Sequence, residues 1–140
     1  MTTAFMQAVD QRNNDARASG ALQPIKAEQT EIADQGLPFT VRWVSSLSAK
    51  DDAKVSMPGG PRDPNFNPFL SPEPALTVGP IGEQHVAILN KFPVCDRHLV
   101  LARRQFEEQL LPLTLDDFTA LALIMSESGG LGFYNGGAAA

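Results

Sequence analysis

Two short apolar runs flank a polar corner in the stretch His85-Val-Ala-Ile-Leu-Asn-Lys-Phe-Pro-Val-Cys-Asp-Arg-His98-Leu-Val-Leu-Ala-Arg-Arg104. The runs 86–89 and 99–102 are rich in branched residues, too short for a helix and bounded by turn-forming residues. They therefore predict two buried strands. Asn90 and Lys91 come where the first strand leaves the core, so a rigid strand end would present an amide and an ammonium group to a bound anion. A solvated surface lysine is the simpler alternative for Lys91.

The composition predicts a small globular domain. Of its 140 residues 43% are hydrophobic and 19% are charged, enough for one modest core. The net charge of −5 argues against a nucleic-acid partner, although a few local lysines can still form a phosphate pocket. Cys95 is the only cysteine, which favours a reducing compartment and excludes an internal disulfide. No apolar run approaches the roughly 20 residues that span a bilayer, so we expect no membrane partner and a cytoplasmic location.

The N-terminal third carries one helix signal and one hairpin signal. We expect a helix over 2–18 that stops at Gly20. Two extended segments within 25–46, joined by the turn residues Asp34-Gln-Gly36, predict a hairpin. Together with the C-terminal helix described below, these elements favour an α+β domain.

The segment from 49 to 74 is predicted to be a loop, because eight prolines and glycines interrupt any regular element. A loop of this length in a compact domain is usually functional or disordered. The prolines and glycines that interrupt helices and strands in this segment are Pro58, Gly59, Gly60, Pro61, Pro64, Pro68, Pro72 and Pro74.

The C-terminal part contains the clearest helix. Thr114-Leu-Asp-Asp117 approximates a capping box and opens the helix, and Gly129-Gly130 ends it. Residues 131–134 are expected to form a last strand, and Asn135-Gly136 has the composition of a type I′ turn.

Few residues of the chain are suited to catalysis. His85 and His98 are the only histidines, and neither belongs to a metal-binding pair or a Cys/His cluster. Each is better explained as a partly buried strand residue than as a catalyst, and no serine lies in a nucleophile elbow. The residues offer an anion site without a nucleophile and without a metal site. The candidate members of that anion site are Lys50, Asn90, Lys91 and Asn135.

Several blocks of the sequence resemble a known family. They stand in order and at fitting spacing, and are Asn67-Pro-Phe-Leu70, Leu89-Asn-Lys-Phe-Pro93, His98-Leu-Val-Leu101, Arg104-Gln-Phe-Glu-Glu-Gln109, Pro112-Leu-Thr-Leu-Asp-Asp-Phe118 and Gly132-Phe-Tyr-Asn-Gly-Gly137. Over about 37–137 the chain looks like the N-terminal half of the ATP adenylyltransferases, or diadenosine tetraphosphate phosphorylases, of the histidine-triad superfamily. The Leu-Asn-Lys-Phe and Phe-Tyr-Asn-Gly-Gly blocks together are specific.

The resemblance implies a histidine-triad-like α+β fold, in which an antiparallel sheet is flanked by helices. It also implies phosphorolysis of diadenosine tetraphosphate to ATP and ADP through an adenylylated histidine. It implies a nucleotide polyphosphate as ligand, with a divalent metal only as part of a nucleotide complex. Lys50, in Ser46-Leu-Ser-Ala-Lys50, holds the position of a nucleotide-contacting lysine of the family. Asn90 and Lys91 correspond to its Asn-Lys pair, and Asn135 to the asparagine of its Phe-Tyr-Asn block. Lysines would offset phosphate charge while asparagines bind oxygens.

The family's nucleophilic histidine is not among these residues. In the family the Asn-Gly-Gly turn leads to a His-x-His-x-Gln run, whereas the present sequence ends at Ala140. We therefore expect one N-terminal adenylyltransferase-like domain over 1–140, incomplete at its C-terminus and inactive alone, with the missing half as its partner. The alternatives are a non-catalytic nucleotide-binding module, a gene relic, or a branch of the superfamily that acts on nucleotide sugars.

Overall fold

The computed structural model describes residues 3–44 and 72–136, which form an α+β fold. The helices and strands in chain order are α1 (Ala4–Ser19), β1 (Ala27–Asp34), β2 (Leu37–Val44), β3 (Thr77–Ile81), β4 (His85–Leu89), β5 (Leu99–Arg103) and α2 (Leu115–Ser128). The strands form a two-stranded antiparallel hairpin and a separate three-stranded antiparallel sheet. The predicted fold class is confirmed, with two sheets in the described residues where the pattern suggested one.

Strand β4 is the centre of the three-stranded sheet and is buried along its whole length. Successive side chains of a strand point to opposite faces. Val86 and Ile88 accordingly pack in the cluster that contains Val9 of α1, whereas Ala87 packs with Ile124 of α2. Helices on both faces explain why the run 86–89 is apolar without alternation. The two strands predicted around the polar corner are confirmed, with β4 and β5 paired from His85↔Arg103 to Leu89↔Leu99.

Helix α1 has the predicted ends. The Thr3 hydroxyl accepts a hydrogen bond from the Met6 amide at 3.3 Å, and Gly20 closes the helix with φ +77°. The chain then returns along the polar corner, where the Gln23 amide donates to the Lys91 carbonyl at 2.8 Å and the Ile25 amide to the Pro93 carbonyl at 3.1 Å. The segment after α1 thus supports the backbone that carries the candidate anion site.

The predicted hairpin is confirmed as β1 and β2, joined by a two-residue turn. Both turn residues have positive φ, +48° at Gln35 and +82° at Gly36, as the right-handed twist of a hairpin favours. One face of the hairpin carries large apolar side chains that are 40–61% exposed. They are Ile32, Leu37, Phe39, Val41 and Trp43, and we call them the hairpin apolar face.

Helix α2 begins and ends near the predicted residues, but the strand expected after it is wrong. Residues 131–136 belong to no helix or strand; instead the Tyr134 hydroxyl donates to the Gln109 carbonyl at 2.9 Å. No neighbouring strand pairs with this segment in the described part of the chain, so the apolar sequence does not become a strand. Among the described residues, no helix has both the length and the hydropathy required to cross a membrane.

Candidate functional site

The end of strand β4 presents Asn90 and Lys91 on a fixed backbone. The backbone N–H of Asn90 donates to the backbone carbonyl of His98 at 2.8 Å, which continues the β4–β5 ladder by one residue. The Lys91 carbonyl accepts from the Gln23 amide at 2.8 Å. The backbone of Asn90 is therefore bonded to the residue that precedes β5, and the backbone of Lys91 to the segment that follows α1. Both bonds make the backbone of the candidate site rigid.

The Lys91 ammonium is paired with a carboxylate. Its Nζ lies 3.1 Å from Oε2 of Glu73, and the two side chains are 34% and 44% exposed. The backbone of Glu73 is also held in position, because its carbonyl accepts hydrogen bonds from the backbone amides of Leu76 and Thr77 at 2.9 and 3.1 Å. An ion pair as exposed as this contributes about 0–1 kcal/mol, because solvent screens both charges. A phosphate group can therefore replace Glu73 at Lys91 at small cost.

The Asn90 side chain holds the corner that follows β4. Its Oδ1 accepts from the Phe92 amide at 3.0 Å, and its Nδ2 lies 3.3 Å from Nε2 of His98. Burial lowers the pKa of the partly buried His98 imidazole below its usual 6.5. The neutral imidazole is therefore favoured beside Asn90.

The four predicted site residues do not all meet. Asn90 and Lys91 lie side by side, whereas Lys50 falls outside the described residues. Asn135 is exposed, and within 72–136 no hydrogen bond joins it to Asn90 or Lys91. Its segment is held instead by the bond from Tyr134 to Gln109, and at Gly132 it passes so close to the Leu121 side chain that an added Cβ would lie 3.0 Å from it.

A second polar cluster lies at the opposite end of β4. His85, only 3% exposed, donates from Nε2 to Oδ1 of Asp117 at 2.7 Å. Arg103 donates to both oxygens of the same carboxylate, from Nε at 2.8 Å and from Nη2 at 2.9 Å. Asp117 also accepts from the Thr114 amide at 2.7 Å and from its hydroxyl at 3.0 Å, so the helix cap and the cluster share one carboxylate.

The surroundings of Asp117 hold it ionised. The Arg103 guanidinium, assisted by the Thr114 amide and His85, brings the pKa of this carboxyl far below its usual value near 3.8. Arg103 pairs in addition with Glu107 and donates to the Thr114 hydroxyl at 2.6 Å. Because its donors and acceptors are hydrogen-bonded to one another, we assign the cluster a structural role. It joins β4, β5 and the start of α2.

Sequence reasoning missed Glu73 and His98 at the anion site. Glu73 lies 18 residues before Lys91, and His98 meets Asn90 only because β5 folds back along β4. The pairing of His85 with Asp117, 32 residues apart, is likewise invisible along the chain. The one local signal was the capping box at Thr114, which correctly identified Asp117 as a helix-start residue.

Comparison with known proteins identifies the family. The model of the Ap4A phosphorylase N-terminal domain family matches residues 1–140. The chain belongs to this family. Its curated relatives in Saccharomyces cerevisiae include diadenosine 5′,5′′′-P1,P4-tetraphosphate phosphorylase 2, which is 31% identical over 118 residues covering 81% of this chain and 36% of that protein. Protein APA1 is 28% identical over 145 residues, covering 94% of this chain and 43% of that protein. The family predicted from the sequence blocks is confirmed.

Solved structures of yeast Ap4A phosphorylase Apa2 share the fold of this N-terminal domain. One aligns with a TM-score of 0.70 at 24% identity, covering 92% of this chain and 40% of Apa2. Apa2 in complex with Ap4A aligns with a TM-score of 0.71, and a complex with AMP with 0.68. The chain therefore spans well under half the length of the relatives it matches.

Proposed function

We propose that this domain binds the polyphosphate chain of a dinucleotide in an Ap4A phosphorylase, with Asn90 and Lys91 as its contacts. The observation that carries the proposal is the Lys91 ammonium at the end of a strand, whose one ion pair within residues 3–44 and 72–136 is with the exposed carboxylate of Glu73. Support comes from membership of the family, whose structural neighbour Apa2 binds AMP and Ap4A. Lys50 and Asn135 are proposed as further contacts because they match the family blocks.

The proposed role of the domain in the reaction is to bind and orient. The Lys91 ammonium would lie against phosphate oxygens and offset their charge, while the side-chain amide of Asn90 would donate a hydrogen bond to a phosphate or ribose oxygen. The reaction proposed for the longer family proteins is phosphorolysis of diadenosine tetraphosphate to ATP and ADP. Its nucleophilic histidine belongs to the His-x-His-x-Gln run, so the domain supplies positioning and charge stabilisation but not covalent catalysis.

Calorimetric titration with ATP and diadenosine tetraphosphate tests the proposal. We expect saturable binding that weakens about tenfold or more in Lys91→Ala, since a charge-assisted hydrogen bond contributes roughly 1.5–3 kcal/mol. Lys26→Ala is the matched control, because Lys26 is an exposed lysine outside the corner. Equal affinity of both variants, or no binding by the parent chain, would contradict the proposal. We expect the 140-residue chain to bind the nucleotide without turning it over. Phosphorolysis by this chain would contradict the proposal that the covalent step depends on the His-x-His-x-Gln run of the longer proteins.

We also propose that the exposed apolar surfaces of the domain pack against the further polypeptide that the longer relatives contain. The surfaces we propose are the hairpin apolar face and a second group of exposed apolar side chains from the start of α2 and the segments on either side of that helix, since exposed apolar groups often mark interaction sites. The second group comprises Leu110, Leu111, Leu115, Phe118, Leu131 and Phe133.

Trp43 is the only tryptophan, so 5-fluorotryptophan placed in this chain alone reports on the hairpin apolar face. Addition of a polypeptide that carries the His-x-His-x-Gln run of a relative should shift its fluorine resonance and restore phosphorolysis. An unchanged resonance in a mixture that is catalytically active would contradict packing at this face.

A further inference from the structure

We propose that His98 is a positioning residue for Asn90, and that protonation of its imidazole weakens the binding of a polyphosphate at the corner. The inference rests on the proposed function, because it takes Asn90 as a ligand contact. It goes further in assigning a role to His98, which the proposed function leaves without one, and in making the site sensitive to pH.

The hydrogen bonds of Asn90 determine the tautomer of His98. The Phe92 amide can only donate, so the atom 3.0 Å from it is the acceptor Oδ1 of Asn90. The Asn90 atom that lies 3.3 Å from His98 Nε2 is then Nδ2, which is a donor. Nε2 must therefore accept, and the proton of the neutral ring is on Nδ1. The backbone amide of Val94 also donates toward Nδ1, at 3.5 Å, but a neutral imidazole accepts at only one nitrogen, and we take the shorter 3.3 Å contact from Asn90 as the one that sets the tautomer.

This arrangement leaves Asn90 with one directed donor. The amide Nδ2 carries two hydrogens, of which one points to His98 Nε2 and the other is available to a ligand oxygen. Protonation of His98 would place an N–H at Nε2 opposite the amide hydrogens, so two donors would face each other. The side chain of Asn90 would then lose its second anchor, and its remaining hydrogen would no longer be held toward the ligand.

The charges around His98 are arranged in pairs. Among the described residues, the β4 end, the corner and α1 contribute three ion pairs with N–O distances of 3.1 Å or less. The pairs are Lys91 with Glu73, Asp96 with Arg17, and Arg97 with Asp10. Burial is accordingly the dominant influence on the ring, and it lowers the pKa of His98, which keeps the ring neutral at neutral pH.

Nuclear magnetic resonance of the full chain can follow this titration directly. The chain has only two histidines, so the imidazole signals of His85 and His98 can be assigned and titrated in one sample. Diadenosine tetraphosphate is the suitable probe, since each of its four phosphates is linked on both sides and keeps one fully ionised oxygen between about pH 5 and pH 8, the range where a histidine changes charge. ATP is unsuitable because its terminal phosphate titrates there.

We expect the affinity for diadenosine tetraphosphate to fall about three- to tenfold as His98 becomes protonated, the loss of one hydrogen bond. By linkage, the probe should lower the pKa of His98, whereas an anion that merely lies near the ring would raise it. In His98→Gln the side-chain carbonyl accepts from Asn90 at every pH, so affinity is retained and its pH dependence is lost.

Two outcomes separate failure of the inference from failure of the proposed function. Binding that is lost in Lys91→Ala but stays level, or strengthens, through the His98 titration would overturn the positioning role alone. Absence of binding to the parent chain at any pH would overturn both. The titration of the parent chain needs no substitution, so it decides the matter even where His98→Gln folds poorly.

Discussion

The two ends of strand β4 both carry polar clusters, but they differ in how completely their groups are paired. At the His85 end, Asp117 accepts hydrogen bonds from three residues, and its side chain is only 14% exposed. At the other end, Lys91 has one ion-pair partner among the described residues, and both members of that pair are more than one-third exposed. The strand therefore connects a closely bonded structural cluster to a corner that we propose as the ligand site.

The difference shows why a charged residue cannot be assigned a function by its type. Asp117, Arg103 and His85 are the residue types of many active sites, yet their donors and acceptors are bonded to one another. Lys91 and Asn90 look ordinary in the sequence, yet in the described part of the chain the bonds of their side chains are fewer and more exposed than those of Asp117, and we propose that a ligand uses the remaining donors. Unused capacity on a rigid backbone is what suggests binding.

The largest effect is expected from Asp117→Ala, which opens the closed end. The substitution leaves the nearly buried His85 and Arg103 without their shared acceptor, so we expect the free energy of unfolding to fall by about 3 kcal/mol. Urea denaturation followed by circular dichroism measures this. Asp116→Ala is the control, since Asp116 is exposed in the same helical turn and should cost under about 0.5 kcal/mol. Similar losses in the two variants would contradict the structural role of the cluster.

Acid should weaken the closed end in a defined direction. The folded-state pKa of Asp117 lies below its unfolded value near 3.8, so its stabilisation is fully present above that pH. As the pH falls below about 4, the unfolded state binds the proton first and the contribution is lost. We expect the difference in unfolding free energy between the parent chain and Asp117→Asn to shrink over this range. A difference that does not change below pH 4 would contradict the low pKa of this carboxyl.

The smallest effect is expected at the open end, from Glu73→Gln. Removing the carboxylate frees the Lys91 ammonium, so diadenosine tetraphosphate should bind about threefold more tightly, with little change in stability. Glu83→Gln, an exposed glutamate in the turn at the other end of β4, is the matched control and should leave affinity unchanged. In a Lys91→Ala background the gain from Glu73→Gln should largely disappear, which a double-mutant cycle measures. Weaker binding by Glu73→Gln would instead mean that the carboxylate orients Lys91 for the ligand.

Local patterns were sufficient for most of the regular structure. The apolar runs of β4 and β5, the Asp34-Gln-Gly36 turn and the capping box at Thr114 each describe interactions among residues close in sequence. The expected strand over 131–134 was wrong, because strand formation depends on a neighbouring strand that local composition cannot supply.

The sequence by itself determined the family, the order of the elements up to α2 and the placement of Asn90 and Lys91 at a strand end. These follow from residue types and short-range spacing, which the chain carries directly. Only the tertiary structure decided that His85 is closed against Asp117, that Lys91 faces Glu73, and that His98 lies against Asn90. Those contacts join residues 8 to 32 positions apart, and they exist because the sheet and α2 bring strand ends and helix starts together. Which polar side chains at the two ends of β4 find a hydrogen-bond partner is therefore decided by tertiary packing.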